Sequence, residues 1–271
     1  MIRPIDAEEL RQRTRSASPF PHFMIDNFLD AAFARVVHDS FPPFEDAQKM
    51  GREFNSVNEK KKVQITDAAR FAPPIAELHR LLAEPSWTGM LSSVFDIPDL
   101  MPDGELVGGG MHQTGPRGRL DVHVDFNYIA ERQLHRRLNI LIFFNPDWQA
   151  EWGGNLELWD QDVKRCLHSF QPLFNRCIIF ETSEISYHGV TAVHCPEGRA
   201  RKSFAAYYYT RKAPAHWTGE VHGTIFRSRP DEALKGKVLM PAEQAVRSVR
   251  QTMRDVKRGI KKIIKPSAGQ G

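Results

Sequence analysis

The chain has 271 residues and a mass of 31.0 kDa, room for one large domain or two small ones. Hydrophobic residues make up 41% and charged residues 26%, with 18 Gly and 18 Pro, a balance that excludes collagen-like and low-complexity chains. The net charge is only +4 and no apolar run approaches the ~20 residues that span a bilayer, which excludes an integral helical membrane protein and argues against a whole-surface nucleic-acid binder.

The opening, MIRPIDAEELRQRTRS, lacks the apolar stretch of a secretory signal, so the expected location is cytoplasmic. Residues 1–17 read as a loose leader or a first helix, and FPHFMIDNFLD (20–30) as a short strand and turn. Asp30 has the chemistry of an N-cap for a helix near 31–40, which FPPF (41–44) ends. Residues 45–67 are polar and read as a loop. Helices are predicted over 73–83, starting at a Pro pair, and over 85–94. From 101 to 212 the apolar runs become short and β-rich, split by Gly, Pro, Asn and Asp. Strands are expected at 105–112, 120–128, 138–144, 155–159, 163–170, 175–182, 186–193 and 202–210. Eight strands without long intervening helices predict an antiparallel sandwich or barrel. The layout is therefore mainly β with flanking helices (α+β): a support region at 1–100, a β core at 101–212 and an extension at 213–271. Cys166, Cys177 and Cys195 contain no CxxC pair, which argues against a disulfide scaffold and for a reducing compartment.

The stretch LDVHVDFNY (120–128) alternates with period two. Leu120, Val122, Val124 and Phe126 face one side; Asp121, His123, Asp125 and Asn127 face the other. An imidazole and a carboxylate two residues apart on a strand can reach one metal ion. His188, in SYHGV (186–190), offers a third ligand from a distant strand. Two His and one carboxylate leave coordination positions open, as in non-haem Fe(II) oxygenases. Arg201 and Ser203 share a face of the strand RKSFAAYYYT and can grip a carboxylate through the guanidinium and the hydroxyl. Lys202 points to the opposite face. Arg199 lies in the turn PEGR, and whether it assists Arg201 is open at this level.

HVDF, NILIFFNPDWQAEWGGNLELWD, SYHGV and PEGRARKSFAAYYYT, in that order, resemble the Fe(II)/2-oxoglutarate-dependent dioxygenases, nearest the bacterial prolyl-4-hydroxylase-like branch. FPHFMIDNFLD also resembles the strand that precedes the core in that group. The resemblance implies a double-stranded β-helix, or jelly roll. It implies Fe(II) on His123, Asp125 and His188, and 2-oxoglutarate held by Arg201 with Ser203 assisting. It further implies O2 as co-reactant, ascorbate as supporting reductant, and hydroxylation of a substrate with release of succinate and CO2. Asp125 favours hydroxylation over halogenation, because related halogenases lack this carboxylate. Phe143 stands where relatives often carry a tyrosine that contacts 2-oxoglutarate, so that hydroxyl is missing. In GGNLELW (153–159) the glycines are read as structural. His112 and Gln113, from LVGGGMHQT (106–114), and Asn127 and Tyr128 are candidates for contacts at the substrate mouth. The segment 129–137 reads as a basic hairpin loop. Two other readings keep the ligand pattern: a non-catalytic jelly-roll binding protein and a cupin-type isomerase. The substrate, a prolyl or other peptide side chain, a free amino acid or a surface saccharide, is not specified at this level, and no nucleic-acid partner is expected.

Residues 241–271 hold eight basic residues against two acids, so the rest of the chain sums to −2. Val246, Val249, Met253, Val256, Ile260 and Ile263 follow steps of 3 and 4, which predicts a basic amphipathic helix. Such a helix packs on the body or lies on an anionic surface, which would place the protein peripherally at the inner membrane face.

Overall fold

A computed structural model describes residues 1–215, 217–232 and 235–240. Met1–Arg227 form one compact unit and Ser228–Gly271 a second. In the second, Glu232 accepts an ion pair from Lys235 at 3.0 Å. The predicted basic helix after residue 241 lies outside the described residues. No described helix is long and apolar enough to cross a membrane.

The first unit begins with α1 (Ala7–Arg15), β1 (His22–Ile25), α2 (Ala31–Asp39), α3 (Phe44–Met50), β2 (Arg52–Phe54), β3 (Glu59–Ile65), α4 (Pro73–Leu82) and α5 (Pro85–Phe95). The β-rich part follows: β4 (Met101–Pro102), β5 (Gly110–Val124), β6 (Tyr128–Ile129), β7 (Leu134–Phe143), β8 (Leu156–Trp159), β9 (Cys166–Phe170), β10 (Cys177–Glu181), β11 (His188–Val190), β12 (Arg201–Thr210) and β13 (Ile225–Arg227). Asp30 caps α2 through Oδ1, which accepts the Ala32 and Phe33 amides, and a proline opens both α4 and α5.

The strands curl into an antiparallel jelly-roll half-barrel in the order β1-β10-β7-β12-β5-β11-β8-β9. Period-two alternation sorts its two faces. Leu138, Ile140 and Ile142 of β7, Ile179 of β10, and Phe204, Ala206 and Tyr208 of β12 join the core shared with the helices. Trp87 of α5 donates its indole N–H to Tyr208 Oη at 2.7 Å, and that hydroxyl donates to the Leu82 carbonyl at 2.9 Å, which ties the helices to β12. The alternate residues, among them Phe143, Ile178 and Phe180, pack inside the curl.

Three expectations are corrected here. Residues 45–67 are not a loop: they form α3, β2 and β3. The stretch looks polar because only Val63 and Ile65 of β3 are buried, and its pairing partner, β5, is far along the chain. The strands expected at 105–112 and 120–128 are one strand, β5, which ends at Val124. Lys60 pairs with Arg119 and Lys62 with Thr114, so residues 115–118 bulge opposite the single residue Lys61. Finally, residues 134–137 belong to β7 rather than to a hairpin loop, because β12 pairs with His135 and Arg136 and β6 with Leu134 and His135.

Candidate active site

His123 on β5 and His188 on β11 are direct cross-strand partners. Their ring centroids lie 4.3 Å apart. The carboxylate of Asp125, one residue beyond the end of β5, lies between them: Oδ1 is 3.6 Å from His123 Nε2, and Oδ2 is 3.6 Å from His188 Nε2. Ligand atoms of the three residues all fall within 4.8 Å of one another. Each ring is oriented by its own backbone. His123 Nδ1 is 2.8 Å from the Asp121 carbonyl, and His188 Nδ1 is 2.9 Å from the Ser186 carbonyl. A carbonyl only accepts, so Nδ1 of each ring donates and Nε2 is the ring nitrogen turned toward Asp125. Burial, with His123 alongside, pushes His188 down to about 3, so its imidazole is neutral at pH 7. Burial opposes the charge on Asp125, but Arg136 with the two histidines holds its carboxyl well below the usual range. Two imidazoles and one carboxylate can hold a metal ion such as Fe(II).

The support for Asp125 comes from β7. Arg136 Nη2 is 2.9 Å from Asp125 Oδ2, and Asn139 Nδ2 is 3.4 Å from the same oxygen. The guanidinium is buried between Phe126 and Tyr207, at 4.6 Å and 3.5 Å from their ring centroids. The two rings and the ion pair hold the guanidinium against the Asp125 carboxylate. Removing such a support costs roughly 10–100-fold in metal affinity. Arg136→Met is expected to weaken Fe(II) binding by that factor in an anaerobic titration, while circular dichroism shows the fold retained.

Arg201 opens β12. It is buried, and Nε donates to the Gly154 carbonyl at 2.6 Å, with the guanidinium 4.8 Å from the Phe143 ring centroid. Nη2 has no hydrogen-bond partner, and among the described residues no acidic side chain pairs with the guanidinium. Burial alone pushes Arg201 down to about 9. Two residues on, the buried Ser203 hydroxyl also lacks a hydrogen-bond partner among the described residues. Ser203 lies between His112 of β5 and Phe143 of β7 in the sheet. A buried cation beside an unsatisfied hydroxyl is costly unless an anionic ligand completes both. The donors thus fit the far carboxylate of 2-oxoglutarate. Gly154 is required for this arrangement: φ is +69°, and a Cβ would stand 3.0 Å from Arg201 Cδ. Gly154→Ala is expected to cost about 1–3 kcal/mol, seen as a lower urea midpoint.

Residues 109–209 match the family model described as the 2OG-Fe(II) oxygenase superfamily. This segment is a 2OG-Fe(II) oxygenase domain. The chain is 27% identical over 199 residues to mouse (Mus musculus) prolyl 3-hydroxylase OGFOD1, an alignment covering 70% of this chain and 33% of that protein. It thus spans about a third of that relative's length. A Pseudomonas putida prolyl-4-hydroxylase structure shares the fold, with a TM-score of 0.56, 13% identity, and coverage of 76% of this chain and 100% of that one. So does the 2-oxoglutarate-dependent carbocyclase SnoK of nogalamycin biosynthesis, with a TM-score of 0.53, 11% identity, and coverage of 86% and 93%.

The oxygenase domain brings together His123, Asp125 and His188, and it places Arg201, Ser203 and His112 on one face of the sheet. His112 Nε2 is 2.8 Å from Gln64 Nε2 and 3.1 Å from the Gly108 carbonyl. Burial, with Lys62 next, pushes it down to about 3. Gln113 projects from the opposite face and donates to the Pro42 carbonyl at 2.8 Å, away from the histidines. Tyr128 stacks with His135 and Trp217, at 4.8 and 6.0 Å between centroids. Asn127 lines a crevice with Asp125, Arg136, Glu184 and Trp217. Its amide donates to Glu184 Oε1 at 3.1 Å and its Oδ1 accepts the His222 amide at 3.1 Å. Sequence reasoning missed Arg136, which precedes the expected strand start at 138, passed over Asn139 inside that strand, and missed β13. Phe226 of β13 pairs with His123 and lies 5.4 Å from its ring. No local pattern in the polar stretch after 212 announces that pairing.

Proposed function

We propose that the protein is an Fe(II)- and 2-oxoglutarate-dependent hydroxylase that acts on a prolyl residue of a peptide or protein. The observation that supports this reading is the pairing of a His-Asp-His group with a buried Arg201–Ser203 couple that has no acidic side-chain partner among the described residues. A cupin-type isomerase would leave that couple without a purpose.

In this reading His123, Asp125 and His188 hold Fe(II), and the bound metal with 2-oxoglutarate supplies the oxidation, yielding succinate and CO2 as the substrate is hydroxylated. Arg201 and Ser203 orient the cosubstrate through its far carboxylate. Phe143 supplies no hydroxyl but packs against the guanidinium and shields it from water. Arg136 and Asn139 hold the Asp125 carboxylate in place. Asn127, Glu184 and Trp217 border the opening beside Asp125, where substrate would enter. The prolyl substrate class rests on the prolyl 3-hydroxylase relative, because the same fold also serves a carbocyclase.

The test is succinate formation from 2-oxoglutarate with Fe(II), ascorbate and O2, with and without proline-containing peptides. Succinate whose yield rises with such a peptide is the expected result. If no succinate forms and 2-oxoglutarate fails to bind the Fe(II) protein anaerobically, the protein is a binding module and not an oxygenase.

A further inference from the structure

Three cations cluster at the start of β12: Arg199, Arg201 and Lys202. Only Arg201 turns into the curl. Lys202 has the opposite parity, toward the helices, and together with Arg199 it lines a separate cavity of about 270 Å³. The cavity lies between the sheet, α2 and the start of α3, with Gln113, Phe44, Phe144 and Trp148 among its walls.

Its polar groups are short of partners. Lys202 is half-buried and forms no ion pair among the described residues; its amine lies 5.8 Å from the Phe41 ring centroid. Asp39 is the one carboxylate whose charge reaches it, and that group is already held by His38 Nδ1 at 2.8 Å. Arg199 is exposed and stacked on Trp152, 5.1 Å from its ring centroid, which fixes a second positive charge at the rim. Gln113, 1% exposed, donates through Nε2 to Pro42, and its Oε1 has no hydrogen-bond partner. The acid on the lining, Asp147, is exposed to water. Two unpaired cations above aromatic walls form a concave site for an anion with an apolar body.

We propose that this cavity is a second ligand site, distinct from the 2-oxoglutarate pocket, that binds a small aromatic carboxylate through Lys202 and Arg199. Its floor is the strand that carries the interior site. Asn145 Oδ1 accepts the Lys202 amide at 2.6 Å, and Asn145 Nδ2 donates to the Lys202 carbonyl at 3.0 Å, clamping the residue between Arg201 and Ser203. An occupant that contacts Lys202 therefore rests on the backbone of β12.

The probe is 4-fluorobenzoate, followed by fluorine NMR on the full chain, with inorganic phosphate as competitor. Saturable binding that weakens at least tenfold in Lys202→Met and in Arg199→Gln, but persists in Arg201→Met and in the presence of saturating 2-oxoglutarate, is the expected result. Arg199 is exposed, so its variant keeps the test valid if Lys202→Met fails to fold. Absence of saturable binding overturns the site. Binding that is lost in Arg201→Met yet unchanged in Arg199→Gln assigns the probe to the interior and also overturns it. Displacement by phosphate at equal concentration overturns the aromatic-carboxylate assignment.

Discussion

Arg201→Met is expected to weaken 2-oxoglutarate binding on the order of 10²–10³-fold while raising the melting temperature of the ligand-free protein. Losing one partner of a buried, hydrogen-bonded charge pair costs about 2–5 kcal/mol, and each 1.4 kcal/mol is about tenfold. The opposite effect on stability follows from the missing counter-ion. Burial lowers the Arg201 guanidinium from its usual strongly basic value to about 9 in the folded chain. The folded state therefore binds this proton less tightly than the unfolded state. The resulting penalty is complete below pH 9 and fades as pH rises above that value. At pH 7 it is fully present, and methionine, which fills similar space without charge, removes it. Exchanging buried charge for apolar volume gains about 1–4 kcal/mol, several degrees in a domain of this size. Added 2-oxoglutarate should raise the melting temperature of the wild type by mass action and leave that of the variant unmoved. Isothermal titration and calorimetry read both effects. A variant that binds 2-oxoglutarate like the wild type would show that the far carboxylate is held by other residues.

His188→Ala is expected to abolish succinate formation, by about 10³-fold or more, with a parallel loss of Fe(II) affinity. The side chain offers a neutral Nε2 whose direction is set by the Nδ1 contact to the Ser186 carbonyl at 2.9 Å. No other described residue can replace it in the group of three around Asp125. Removing it leaves two donors, and several kcal/mol of metal-derived stabilisation are lost. Co(II) titrated anaerobically gives a spectroscopic measure of site integrity that does not depend on turnover. Retention of wild-type succinate yield by this variant would be incompatible with metal binding by His188. The milder effect expected for Arg136→Met separates a ligand from the residue that orients one.

The His-Asp pair is legible in the chain because β structure transmits parity. In LDVHVDF the period of two places His123 and Asp125 together, whatever the sheet around them. Arg201 and Ser203 follow the same logic, and so does the opposite direction of Lys202. The Asp125 supports escaped for an equally physical reason. Arg136 lies in a run of basic residues that looks solvated, and it is buried only because Phe126 and Tyr207 close over it from other strands. Gln113 adjoins His112 in sequence, yet alternation sends it to the helix side.

The sequence by itself determined the chemistry on offer: two imidazoles, a carboxylate, an arginine with a neighbouring hydroxyl, and a run of strands able to carry them. Those properties depend on residue type and on neighbours one or two positions away. Tertiary structure alone decided which distant strands meet. It paired His188 with His123 across β5 and β11, placed β3 and β13 against β5, buried Arg136 beside Asp125, and left Arg201 without a counter-ion among the described residues. It also opened a separate cavity under Lys202 and Arg199. Burial and long-range pairing arise only when the chain closes on itself, and these are the terms that turn a list of polar residues into a site.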